Sequence, residues 1–85
     1  MEYVYLLQSC RFSERRYVGA TSDLKRRLEE HNAGKSPHTA KYLPWKIVVA
    51  ICFENDSRAL DFERYLKTGS GHAFAERHFW SNIGE

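Results

Sequence analysis

EYVYLLQS, residues 2–9, and RYVGATSD, residues 16–23, decide how this chain folds. Both are short and rich in aromatic and β-branched residues, the composition of a strand. Between them Cys10 to Arg15 is polar and reads as a turn. The pair therefore predicts a β-hairpin, Tyr3 to Leu7 followed by Arg16 to Ala20. Gly19 inside the second strand marks a bulge or a close approach of backbone. Each run carries Tyr-Val, and Tyr5 and Tyr17 either pack across the hairpin or face something beyond it.

Working outward, Thr21, Ser22 and Asp23 are N-cap residues, and a helix runs from there to about His31. Leu24, Leu28 and His31 recur at i, i+4 and i+7, so one stripe of this helix faces inward. Gly34 reads as its C-cap, with Pro37 beyond. Residues 38–46 form a loop, and KIVVAICF, residues 46–53, is the most apolar stretch and is expected as the central strand. ENDS caps a second helix over about 57–68, with Ala59, Phe62 and Leu66 along its buried stripe. TGSG, residues 68–71, stops that helix. HAFAERHFW, residues 72–80, predicts a third helix packed through Ala73, Ala75, Phe79 and Trp80. The order β-β-α-β-α-α predicts an α/β fold of the α+β type: a three-stranded, mostly antiparallel sheet flanked by helices.

A chain of 85 residues is one small domain, spanning residues 1–85, which buries only about 60% of its unfolded surface. Its composition is that of a soluble globule, with 42% apolar and 28% charged residues. No run is apolar enough to span a membrane, and no signal peptide is read at the N-terminus. Cys10 and Cys52 match neither a metal pattern nor a disulfide framework. Cys52, in an apolar run, is expected as a buried thiol, and the compartment as reducing cytoplasm. The net charge of +2 is uneven. Residues 11–46 carry nine basic and four acidic residues, a net of +5, while the remainder carries four basic and seven acidic, a net of −3. A local positive excess is the footprint of a polyanion.

In chain order these features are YVY (3–5), YVG (17–19), Arg27 with His31 four residues later, and Glu63 in a later helix. The set resembles the GIY-YIG nuclease family, over almost the whole chain from Tyr3 to about Trp80. It looks most similar to the small stand-alone bacterial members, which share helices in the style of LKRRLEEHNAG and YLKTGSG. The resemblance implies a three-stranded antiparallel sheet with flanking helices. It also implies an endonuclease that cleaves phosphodiesters in DNA with a divalent metal, Mg²⁺ with Mn²⁺ as a substitute. By resemblance the site residues are Tyr5, Tyr17, Arg27, His31 and Glu63, with Glu63 on the metal.

These residue types suit the chemistry. Arg27 stays protonated and offers forked donors to phosphate oxygens. Glu63 is a hard carboxylate suited to Mg²⁺, which acts as a Lewis acid near the leaving oxygen. A phenol with a pKa near 10 needs help to act as a base, and Arg27 and a metal would favour its phenolate. Tyr5 or Tyr17 then activates water while the other positions it, and His31, one turn from Arg27, is the rival base. Arg16, Lys25, Arg26, Lys35, His38 and Lys41 are candidates for the nucleic-acid backbone, whether DNA or RNA. Tyr42, Trp45 and Trp80 are candidates for stacking on unpaired bases.

Three departures from the family pattern stand out. Tyr3 replaces the first motif's glycine, Ala20 stands where a basic residue often follows the second, and no asparagine is well placed after Glu63 (Asn82 comes late). A monomer or weak homodimer is expected, and with no further recognition domain any specificity comes from DNA shape, flaps or ends, or from an accessory protein. Two other readings compete: a nucleic-acid-binding module with a silent centre, and a small domain whose basic stretch meets an acidic protein.

Overall fold

The computed structural model describes residues 1–80, so Asn82 lies outside the described residues. The hairpin forms as its sequence predicts, from β1 (Glu2–Ser9) and β2 (Arg16–Thr21), antiparallel, with Tyr5 opposite Gly19 and Leu7 opposite Tyr17. β3 (Trp45–Phe53) pairs antiparallel with the other side of β1, giving the order β2-β1-β3. The register slips between Leu6 and Leu7 of that second pair, so the bulge lies there and not at Gly19.

The central strand is therefore β1 and not the more apolar β3. β1 is covered on both faces, and every residue from Val4 to Ser9 is buried, Gln8 and Ser9 included. Period-2 alternation splits it cleanly. Val4 and Leu6 face α2 (Asp56–Leu66) and α3 (Gly69–His78), where they pack with Ala59, Leu66 and Ala75. Tyr5 and Leu7 face α1 (Leu24–Asn32), where Trp45, Tyr17, Leu24 and Leu28 complete a second cluster. Complete burial of a side chain such as Leu6 contributes about 1.5–3 kcal/mol. As an edge strand, β3 leaves Lys46, Ala50 and Cys52 exposed. Cys52 is thus not a buried thiol: it lies exposed on the edge strand opposite Tyr3, its sulfur 3.4 Å from Met1 Sδ.

The helix signals mark real caps. Asp23 accepts the Arg26 N–H at 3.1 Å, and Asn55 accepts from Ser57 and Arg58. At the end of α1, Gly34 (φ 76°) takes the left-handed conformation. The Gly34 N–H bonds His31 O and the Lys35 N–H bonds Glu30 O, the paired closure of a Schellman motif. The third helix starts three residues earlier than its apolar pattern suggests. Thr68 caps it by accepting from Gly71 N, so TGSG begins α3 as much as it ends α2. Phe74, rather than the exposed Ala73, then points inward beside Ala75. Among the described residues no helix is long and apolar enough to cross a membrane.

Candidate active site

The β1–β2 register places Tyr5, Gly19 and Tyr17 on the face covered by α1. Gly19 is there because Tyr5 needs its space: a Cβ at Gly19 would sit 2.5 Å from the Tyr5 hydroxyl and 3.0 Å from Tyr17 Cε2. Arg27 and His31, four apart on α1, project from one side of the helix toward this gap. The Tyr5 hydroxyl lies 3.0 Å from His31 Nε2 and accepts the Arg27 Nε–H at 3.2 Å. The Tyr17 ring stands 5.0 Å from the His31 ring and 6.2 Å from the Tyr5 ring. Four of the five residues expected at the centre, from two strands and a helix, thus meet around one hydroxyl.

Hydrogen-bond capacity fixes the protons. Arg27 only donates, so the Tyr5 oxygen accepts there and its own hydrogen goes to His31 Nε2. The reverse would strand the hydroxyl hydrogen of a phenol that is 2% exposed. His31 then carries its hydrogen on Nδ1 and donates it to Thr39 Oγ1 at 2.8 Å. Thr39 is fully buried and anchored by its carbonyl, which accepts the Trp45 indole N–H at 2.8 Å. A neutral His31 agrees with its surroundings: burial, then the Arg27 charge, hold its pKa below the ordinary histidine value. Burial likewise pushes the Tyr5 phenol up, outweighing the Arg27 hydrogen bond, with Tyr17 and Glu63 adding to the rise. Arg27 does favour the phenolate, as its charge requires, but desolvation is the larger effect.

Arg27 is held from its other side by Glu30, Nη1 to Oε1 at 3.0 Å, and its side chain is 34% exposed. A shallow depression of about 190 Å³ lined by Thr21, Ser22, Asp23, Arg26, Arg27 and Glu30 opens beside it. Glu30 also takes Arg26 Nε at 3.3 Å. Glu63 stands on α2, half-buried, its carboxylate accepting from Lys67 Nζ at 2.9 Å. Its hydrogen bond is to Lys67 and not to the Tyr5 cluster, on which its charge is the smallest of the influences that raise Tyr5. Among the described residues no three His, Cys, Asp or Glu side chains converge. A hard divalent cation takes as few as one or two carboxylates and completes its shell with water and phosphate oxygens; here Lys67 occupies that of Glu63.

The expected backbone contacts separate into two groups. Lys25, Arg26, Lys35, His38 and Lys41 are exposed, on α1 and the loop after it. Arg16 is half-buried on β2, ion-paired with Glu76 of α3, its guanidinium 4.8 Å from the Trp80 ring. Trp45 is a core residue, while Tyr42 is half-buried with Arg15 over its ring at 4.6 Å. Sequence reasoning overlooked Glu30, although its i+3 spacing from Arg27 is a visible pairing signal. Thr39 carried no such signal, because a loop conformation brings it to His31.

Residues 1–75 match the model of the GIY-YIG catalytic domain. The chain belongs to the GIY-YIG family. Its relatives include the structure-specific endonuclease subunit SLX1 of Candida dubliniensis, 39% identical over 82 residues. That match covers 88% of this chain but 27% of SLX1, so the chain spans about a quarter of that relative's length. A UPF0213 protein of Haloquadratum walsbyi is 37% identical over 67 residues, covering 78% of this chain and 73% of its own. The solution structure of a UPF0213 protein from Bacillus halodurans superposes with a TM-score of 0.53 at 27% identity, covering 91% of this chain and 84% of that one. This GIY-YIG chain is accordingly a nuclease domain, and the hydroxyl shared by Arg27 and His31 lies where its two Tyr-Val strands pair.

Proposed function

We propose that this GIY-YIG domain is a metal-dependent endonuclease that hydrolyses phosphodiester bonds in DNA, with Tyr5 as the general base. The observation carrying this reading is the chain Arg27–Tyr5–His31–Thr39. As water attacks phosphorus, Tyr5 takes the water's proton at its oxygen and passes its own hydrogen to His31 Nε2. His31 becomes a cation while its Nδ1–H stays on Thr39. Tyr5 is thereby spared a free phenolate, in exchange for a transient imidazolium that burial and the Arg27 charge also disfavour. His31, fully buried, acts through Tyr5 and does not meet the water itself. Proton transfer of this kind contributes about 10²–10⁴-fold. Tyr17, more exposed than Tyr5, positions the water or the phosphate. Arg27 keeps Nη2 and part of its fork for the phosphate oxygens, where charge grows in the transition state. Glu63 would hold Mg²⁺ or Mn²⁺, which when bound supplies Lewis-acid neutralisation at the leaving oxygen.

The exposed Lys25, Arg26, Lys35, His38 and Lys41 would hold the backbone, which positions a substrate without reading its sequence. We read the substrate as DNA of particular shape, with an accessory protein adding specificity. SLX1 is itself named a subunit of a structure-specific endonuclease. One centre per chain cuts one strand at a time, and both free cysteines suit a reducing cytoplasm. The test is Mg²⁺-dependent cutting of labelled single-stranded, flap and branched DNA, with an RNA control, by wild type and Tyr5→Phe. Loss of at least 10²-fold in a folded Tyr5→Phe variant supports the relay. Full activity in that variant overturns it.

A further inference from the structure

A second feature lies against the same site. At the edge of β2, a cavity of about 390 Å³ is bounded by Arg16, Tyr17, Lys67, His72, Glu76 and Trp80, with an apolar floor of Val18, Leu66 and Ala75. Its size falls within the roughly 300–1,000 Å³ of sites that take small ligands. Two of its walls belong to the centre described above. Tyr17 packs in a T-shaped pair with the His31 ring, and Lys67 is the ion-pair partner of Glu63. The cavity therefore adjoins both halves of the catalytic constellation.

Its chemistry is specific. Trp80 brings an indole ring, one face of which carries the Arg16 guanidinium at 4.8 Å. Glu76 engages one terminal nitrogen of Arg16, yet Arg16 Nε is buried and has no hydrogen-bond partner among the described residues. A buried, unmet donor carries a desolvation penalty, and a ligand acceptor relieves it once the Arg16 side chain turns its Nε–H into the cavity. An aromatic ring, an apolar floor and a guanidinium donor together fit a planar heterocycle with acceptor atoms at its edge. Lys67 and His72 add positive or donor groups at the rim, suited to an adjoining phosphate.

We propose that this cavity is a nucleobase site, taking one unpaired base from the strand whose neighbouring phosphate lies at Arg27. The link to the scissile phosphate rests on the nuclease reading; the base site does not. A base stacked within a duplex is unavailable to such a cavity. The domain thus discriminates for flaps, ends or single strands by its own pocket, before any partner acts. Arg16 serves here as a base-contacting residue rather than as a general backbone contact.

The test is binding without metal, in EDTA, so that nothing is cut. Fluorescence anisotropy would compare a labelled eight-nucleotide single strand, the same strand with its bases replaced by abasic units, and an equal-length duplex. Because stacking on an aromatic residue contributes about 1–3 kcal/mol per base, the abasic strand should bind the wild-type protein roughly tenfold more weakly. Trp80→Ala should remove that difference, while Trp80→Phe keeps most of it. The base-dependent part should persist as salt rises, whereas phosphate contacts weaken steeply. Equal binding of the intact and abasic strands by wild type overturns the proposal and needs no variant to fold. A base-dependent preference that survives in folded Trp80→Ala overturns it too. Base-dependent binding without cutting in Mg²⁺ would sink the nuclease reading and leave this site standing; cutting without it does the reverse.

Discussion

Replacing Gly19 by alanine adds a single methyl group, and the structure places it in the worst available position. The new carbon would lie 2.5 Å from the Tyr5 hydroxyl oxygen and 2.6 Å from Cζ, about 0.9 Å short of the 3.4 Å at which ordinary contact begins. The phenol does not yield freely, since it is buried and tied to both Arg27 and His31. Either the ring retreats and both hydrogen bonds stretch, or β2 moves away from β1 at the Tyr5–Gly19 pair. Overpacking of this kind costs about 1–3 kcal/mol, and displacement of a reacting group by 1 Å costs about 10²-fold in rate. Urea unfolding should show a loss of about 1–3 kcal/mol, or a fall in Tm of several degrees for each kcal/mol in a domain this small. DNA cutting should drop by about 10²-fold under conditions where the variant is fully folded. Gly19→Ala with stability within about 0.5 kcal/mol of wild type and unaltered cutting would refute the argument that Tyr5 occupies the space which glycine leaves.

Thr39→Val keeps the shape of the side chain but takes away the acceptor for His31 Nδ1–H; we expect a loss of about 1–3 kcal/mol. ¹⁵N spectra should then show His31 shifting its hydrogen toward Nε2, with cutting impaired and Thr39→Ser restoring both; an unchanged tautomer would contradict the assignment. Because the folded state holds the His31 pKa down, the unfolded chain binds the extra proton first. Stability is therefore full above the unfolded value of about 6.5 and declines as pH falls toward the depressed folded value. His31→Gln should flatten that part of the urea-midpoint curve, and an identical slope would exclude His31 as its source. Gly71→Ala drives a Cβ to within 1.9 Å of the Tyr65 carbonyl oxygen, where α3 packs on the end of α2. The variant should unfold at markedly lower urea, and a wild-type midpoint would show that the two helices are not so closely apposed.

The hairpin was legible because it is local: two β-type runs and a polar turn carry their own instruction, and their register follows. The helix ends were legible for the same reason, through Asp23, Asn55 and Gly34. Sheet order was not. Apolar content pointed to β3 as the central strand, yet an edge strand packed on the core is also apolar, and the central β1 tolerates buried Tyr5, Gln8 and Ser9 because each finds a hydrogen bond. Burial of Cys52 failed with that same assumption. Tyr5, Tyr17, Arg27 and His31 came as a set from the family resemblance, and a hairpin and one helix turn bring them together. Thr39 and the cavity under Trp80 depend on a loop and on helix α3 meeting β2, which spacing along the chain does not encode.

The most direct measurement is a side-by-side cleavage assay of wild type, Arg27→Ala and Glu63→Gln on labelled flap DNA in Mg²⁺. Each protein would be checked for folding by circular dichroism, and EDTA would serve as the metal-free control. We predict cutting by wild type that EDTA abolishes, and a loss of at least 10²-fold in both folded variants, because the proposed centre assigns Arg27 to the phosphate and Glu63 to the metal. Undiminished cutting in either variant, or cutting by wild type that EDTA leaves intact, would contradict a centre built from Tyr5, Arg27, His31 and Glu63.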